Sequence, residues 1–151
     1  MKKLFLILLF LPLMMVTSCK DNTGSGISAD SKDALLDKEI AASVAQFPMQ
    51  VDDATTLVLL SRDGNVVTYD YALDESKMNF DEFIANQESF KAQLRNNIVV
   101  VCTPSSDFHT FMTLLRDTDK ELHYRYKGKP SGRSVTIEFS NNEIKELIKD
   151  E

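Results

Sequence analysis

The chain has no tryptophan, and only two cysteines and two histidines among 151 residues. So few soft ligands leave no Cys/His cluster at zinc-like spacing, and neither metal nor cofactor is expected. Glycines are five and scattered, which excludes a glycine-rich phosphate loop. Long apolar runs are missing too. The longest, Leu4–Val16, is interrupted by Pro12 and falls short of the about 20 residues a membrane-crossing helix needs. Basic residues are outnumbered 17 to 23, for a formal charge of −6. An acidic chain repels phosphates, which argues against nucleic acid as a partner. The same sign argues against holding anionic lipid by charge alone.

What is present begins at the first residues. Lys2 and Lys3 precede the apolar run, and small and polar residues follow it. That is the layout of an export signal. Met14-Met15-Val16-Thr17-Ser18-Cys19 then resembles a bacterial lipoprotein signal, with Val16, Thr17 and Ser18 in its pattern. The resemblance implies removal of residues 1–18 and acylation of Cys19, with palmitate among the expected chains. Ordinary cleavage near Ser18 is the alternative and would leave Cys19 free. Stable anchoring takes more than one acyl chain, which a lipoprotein supplies. The expected location is the cell envelope. The domain would stand outside the cytoplasm, in the periplasm, tied to a bacterial membrane with the outer one favoured. Loss of Lys2 and Lys3 takes the formal charge from −6 to −8.

Residues 19–32 are rich in Asp, Asn, Thr, Gly and Ser and read as a flexible tether. Residues 33–151 read as a single domain. Leu36, Ile40, Val44 and Phe47 recur at helical spacing up to Pro48. Thr55–Arg62 and Val66–Leu73 flank Asp63-Gly64-Asn65, a hairpin signal. Asn79 with Glu82 opens a second helix carrying Phe80, Phe83, Phe90, Leu94 and Ile98. Val99–Cys102 suits its last turn or a short strand equally. Pro104 is expected to start a third helix with Phe108, Phe111, Met112 and Leu115 on its buried face. Leu122–Lys127 and Val135–Phe139 alternate as a second hairpin, and Ser140 with Glu143 forms a capping box for a closing helix. The expected class is α+β: an antiparallel sheet of about four strands from two hairpins, helices on one face, in the order α-ββ-αα-ββ-α.

Several short motifs are similar to a family of small exported bacterial proteins. They are Phe47-Pro48-Met49-Gln50-Val51-Asp52, Thr55-Thr56-Leu57, Tyr69-Asp70-Tyr71, Cys102-Thr103-Pro104 and Tyr124-Arg125-Tyr126. The resemblance spans about Phe47 to Phe139 and implies export without implying an activity. Members of that family often carry a second cysteine after the last hairpin. Here that region reads Asn141-Asn142-Glu143, so the implied disulfide has no second half.

Candidate chemistry is thin. Cys102, Asp107 and His109 lie close in sequence and would serve a small envelope hydrolase if brought into contact. Cys102 follows an apolar run, which points instead to a buried, inert thiol. Asp52-Asp53 with Asp70 or Asp74 would offer oxygens to a cation, although calcium loops assemble more. His123, Arg125 and Lys127 share one face of a predicted strand, and Thr68 and Asp70 share that face on the other hairpin. With the adjacent Tyr126 they form the candidate binding surface, since arginine and tyrosine are favoured at hot spots. The expected role is non-catalytic: a binding or assembly module for an envelope protein or polypeptide, held to the membrane through Cys19.

Overall fold

The computed structural model describes residues 28–148. The expected signal peptide 1–18, Cys19 and residues 20–27 lie outside the described residues. The class is α+β, with five helices and one five-stranded sheet among those residues.

Helix α1 spans Ala29–Val44. It starts four residues before the expected domain edge, so 29–32 are helical and not tether. Long-range ion pairs explain the early start. Lys32 reaches Asp117 at 2.8 Å, and Asp33 lies 2.7 Å from Arg62 and 3.1 Å from Lys120. These hold the first turns on the fold. Leu36 and Ile40 are buried beneath them.

Strands β1 (Met49–Gln50), β2 (Thr55–Asp63) and β3 (Val66–Asp74) follow. β2 and β3 form the expected hairpin, with Gly64 at φ +56° in its two-residue turn. That left-handed backbone favours glycine. The register slips at Val58, between the Leu57/Tyr71 and Leu59/Asp70 pairs. This bulge re-phases the strand, so Leu57 and Leu60 both point inward while Val58 and Leu59 face solvent.

Three helices come next, not two: α2 (Phe80–Ala85), α3 (Gln87–Val101) and α4 (Asp107–Asp117). Asn79 caps α2 by accepting from the backbone N–H of Asp81 and Glu82. Asn86 separates α2 from α3; its side-chain amide donates to the Glu82 carbonyl at 2.8 Å. A side chain competing for that carbonyl is a local reason for the break. Val99–Val101 belong to α3. Burial of Phe90, Leu94 and Ile98 at helical spacing decides this over the strand propensity of the valines. Pro104 does not begin α4. Ser106 does, accepting from the His109 N–H, while Pro104 sits in the turn before it.

Strands β4 (Glu121–Lys129) and β5 (Ser134–Phe139) form the second hairpin, and α5 (Asn141–Leu147) closes the fold with the Ser140/Glu143 capping box. The sheet order is β1-β2-β3-β4-β5. The two hairpins meet through β3 and β4, which run parallel, Val66 beside Glu121 and Asp74 beside Lys129. The sheet is therefore mixed, where an all-antiparallel one was expected. The connection α2–α3–α4 carries the chain back to the starting end of β3, and only a crossover of that length allows a parallel neighbour.

The helices cover one face. There Tyr69, Tyr71, Tyr124 and Tyr126 form an aromatic floor. Tyr69 stacks on Tyr124 at 5.4 Å and Tyr71 on Tyr126 at 4.8 Å between ring centroids. Phe83 and Phe90 meet Tyr126 edge-on at 5.2 and 5.3 Å. Such pairs add about 0.5–1.5 kcal/mol each beyond area burial. The hydroxyls of Tyr69, Tyr124 and Tyr126 are buried with no hydrogen-bond partner among the described residues.

Candidate functional site

Strict alternation in β4 sends Leu122, Tyr124 and Tyr126 inward and His123, Arg125 and Lys127 to the face that no described helix covers. The parallel register then fixes their neighbours. Thr68 stands beside His123, Asp70 beside Arg125 and Ala72 beside Lys127. On the other side lie Glu138, Thr136 and Ser134 of β5.

Asp70 and Arg125 form a bidentate pair, Nε to Oδ1 at 2.5 Å and Nη2 to Oδ2 at 2.9 Å. Such a fork fixes geometry as well as charge. The Asp70 hydrogen bond, together with its charge, raises the Arg125 pKa further. His123 Nε2 lies 3.1 Å from Glu121 Oε2. Lys127 is exposed and has no ion pair among the described residues, and the same holds for Glu138. Val58 and Leu59 add an apolar margin on the β2 side, about 40% exposed. Sequence alternation does not reveal that margin, because the bulge creates it.

Tyr126 does not belong to this surface. It is 2% exposed and faces the core, one residue out of phase with Arg125 and Lys127. Period-two geometry requires this: β4 pairs without a bulge, and in a regular strand a residue does not share a face with its immediate neighbours.

The Cys102, Asp107 and His109 set is not assembled. Cys102 caps the end of α3, and His109 spends its backbone N–H on Ser106. No hydrogen bond joins the three side chains among the described residues. The thiol is half-buried, more open than its apolar run suggests, and burial pushes its pKa up to about 11. A nucleophilic cysteine needs the opposite shift.

The acidic residues are likewise engaged elsewhere. Asp52 Oδ1 accepts from the Ala54 N–H at 2.8 Å, Asp74 Oδ1 accepts from Ser76, and Asp70 is held by Arg125. No group of three or more metal-ligating side chains occurs among the described residues.

A concavity of about 540 Å3 opens where β3 and β4 end, lined by Glu75, Lys77, Phe80, Asp81 and Arg133 among others. Arg133 lies 5.0 Å over the Phe80 ring and pairs with Asp81 at 2.5 Å. Ser131 donates to Glu75. Its charges neutralise one another, so the cleft reads as a clasp between two loops.

No protein-family model matches the chain, and no curated protein matches it. Two solved structures are similar to the chain. A Pseudomonas aeruginosa protein described as secreted superposes with a TM-score of 0.59 at 15% identity, over 80% of this chain and 99% of its own. The pilotin EpsS of the Vibrio vulnificus type 2 secretion system gives a TM-score of 0.49 at 8% identity, over 77% of this chain and 94% of its own. At 15% identity the likeness to the first is one of fold alone.

Proposed function

We propose that this chain is an exported, lipid-anchored module of a bacterial cell envelope, non-catalytic, that binds or assembles with an envelope polypeptide. Residues 1–18 are the signal, Cys19 carries the acyl chains, and residues 20–28 tether a single domain running from α1 onward. The outer membrane is the favoured anchor. The open face of the sheet, through His123, Arg125 and Lys127, is the docking surface.

One observation carries the reading. A chain in which acids outnumber bases 23 to 17 gathers three basic-type side chains in one row on a sheet face that no described helix covers. Arg125 is pre-ordered by Asp70, which lowers the side-chain entropy a partner must overcome. The secreted protein that shares the fold is consistent with export.

The test has two arms. Metabolic labelling with a palmitate analogue should mark the wild-type chain and not Cys19→Ala; equal labelling of both would sink the anchor. Cross-linking in intact cells should then capture a reproducible envelope polypeptide with wild type and lose it with Lys127→Glu. Capture that is indifferent to Lys127→Glu and to Arg125→Ala would remove this face from the proposal.

A further inference from the structure

The two edges of the sheet are treated differently. At the β2 edge, β1 is two residues long, Val58 bulges the strand, and Arg62 is gripped by Asp33 and Asp37 of α1 at 2.7 and 2.9 Å. Short strands, bulges and flanking helices are the usual ways to blunt an edge. Among the described residues β5 has no bulge and no helix ion-paired to it as α1 is to Arg62. It pairs with β4 without interruption from Leu122/Phe139 to Lys127/Ser134 and contains no proline.

Its outward hydrogen-bonding groups follow from the register. Gly128 donates to the Arg133 carbonyl at 2.8 Å, in line with the β4–β5 pairing. Antiparallel ladders alternate, so Val135, Ile137 and Phe139 bond to β4, while Ser134, Thr136 and Glu138 aim their N–H and C=O groups away from the sheet. These outward groups have no partner among the described residues.

We propose that β5 is a homodimer edge: two copies of this chain pair β5 with β5 antiparallel, about a two-fold axis at Thr136, into one continuous sheet. Self-pairing centred there sets Thr136 opposite Thr136 and Ser134 opposite Glu138, the register that uses all three outward residues. Each pair exchanges two bonds, about six in all. Threonines directly opposite each other are a favourable cross-strand pair. The alternative centre at Glu138 sets two like charges face to face, and a centre at Ser134 leaves the other outward residues unused.

Charge then selects the occupant. Ser134 sits beside Lys127 in its own sheet. In the dimer, Glu138 of the second copy lies one strand beyond Ser134, about 9.5 Å from the Lys127 strand. Both long side chains reach over the small serine and meet. The two-fold makes this contact twice, between an exposed cation and an exposed anion that have no ion pair among the described residues of their own copy. Side chains from both copies stay on the same face, so the dimer joins the two open faces side by side, with each Lys127 engaged at the seam. The inference does not depend on lipidation or on a partner.

The experiment is disulfide trapping of the full-length chain in intact cells, in a Cys102→Ala background. Thr136→Cys places two thiols across the axis at a Cα separation of about 5.5 Å, inside the range a disulfide accepts. A covalent homodimer should form on oxidation, well above that of the parent background and of Asn96→Cys on the outside of α3. Adding Glu138→Lys or Lys127→Glu alone should cut the yield about ten-fold, the equivalent of roughly 1.4 kcal/mol. Combining the two should restore it. A Thr136→Cys chain that stays monomeric, or that bonds to a different polypeptide, would overturn the proposal. Equal yields in the single and double charge variants would overturn the register.

Discussion

Tyr126 and Lys127 are consecutive residues that live in different solvents. Tyr126 is stacked on Tyr71 under Phe83 and Phe90, while Lys127 stands in water on the other side of the same strand. The contrast runs through the sheet. Its inner face is aromatic and aliphatic and meets the helices; its outer face holds a bidentate ion pair, a His/Glu contact and the exposed charges of Lys127, Lys129 and Glu138. The difference teaches how the chain divides its work. Alternation commits every second residue to the core and turns the residues between them to the face that no described helix covers.

The largest effect expected tests that division directly. Tyr126→Ala should cost about 3–5 kcal/mol, the range for emptying a buried aromatic site. Lys127→Ala should stay within about 0.5 kcal/mol, as exposed substitutions do. Urea unfolding of both variants measures it. Comparable losses would erase the distinction between the faces.

Acid gives the next largest change, and it acts on the helix layer. Hydrogen bonds and charge from Lys120 and Arg62 hold Asp33 below its ordinary pKa of 3.8. At Asp117 burial works toward a higher pKa, but Lys32 and Arg116 outweigh it and the pKa is lowered. At Glu143 burial is again overcome, by Lys91 and the Ser140 cap, below an ordinary value of 4.5. Each carboxyl is more acidic folded than unfolded. Its contribution is therefore complete above the unfolded value and is lost as pH falls through the folded one. The thermal midpoint should be level from about pH 7 to 5 and drop below about pH 4. Asp33→Asn should reduce that drop. An Asp33→Asn profile identical to wild type would separate the acid response from the α1 anchor.

Much of this fold is legible in the sequence. Val66–Leu73 and Leu122–Lys127 alternate cleanly, Asn79 and Ser140 are caps, and Gly64 marks a turn; each signal is local. The parts that are not legible are set by distant contacts. The parallel pairing of β3 with β4 depends on the path of three intervening helices. The Val58 bulge depends on matching Leu57 and Leu60 to a core that alternation in β2 alone would miss. Asp33 begins as an acidic residue beside a linker and becomes an anchor only when Arg62 and Lys120 arrive. For the candidate site, His123, Arg125 and Lys127 follow from period two, and so does the exclusion of Tyr126. That Asp70 pre-orders Arg125 requires the parallel register.

A smaller effect, of opposite sign, probes the inner face again. The Tyr124 hydroxyl is buried without a partner among the described residues, and burial raises its pKa well above the ordinary value. An unsatisfied buried hydroxyl costs about 1–3 kcal/mol. Tyr124→Phe keeps the ring stacked on Tyr69 and removes that cost, so stability should hold or rise by about 1 kcal/mol. A loss from Tyr124→Phe would mean that the hydroxyl contributes a bond in solution, and the inner face would no longer be purely a packing surface.

The smallest effect belongs to the outer face and decides whether that face adds anything to the fold. A double-mutant cycle on Asp70 and Arg125 isolates their coupling. Arg125 is half exposed, 51% against 17% for Asp70. Exposed pairs couple by about 0.2–1 kcal/mol, and the bidentate geometry places this one toward the upper end. The single variants should be unequal. Arg125→Ala strands the more buried partner, an anion beside Thr68 and Ala72 on its own strand, whereas Asp70→Ala leaves a cation that water can reach. Arg125→Ala should therefore be the costlier change. Arg125→Lys should recover part of the charge and none of the fork. A coupling near zero would leave the pair as pure pre-organisation for a partner. A coupling above about 2 kcal/mol would exceed what an exposed pair supplies and would move Arg125 from the proposed docking surface into the structural frame.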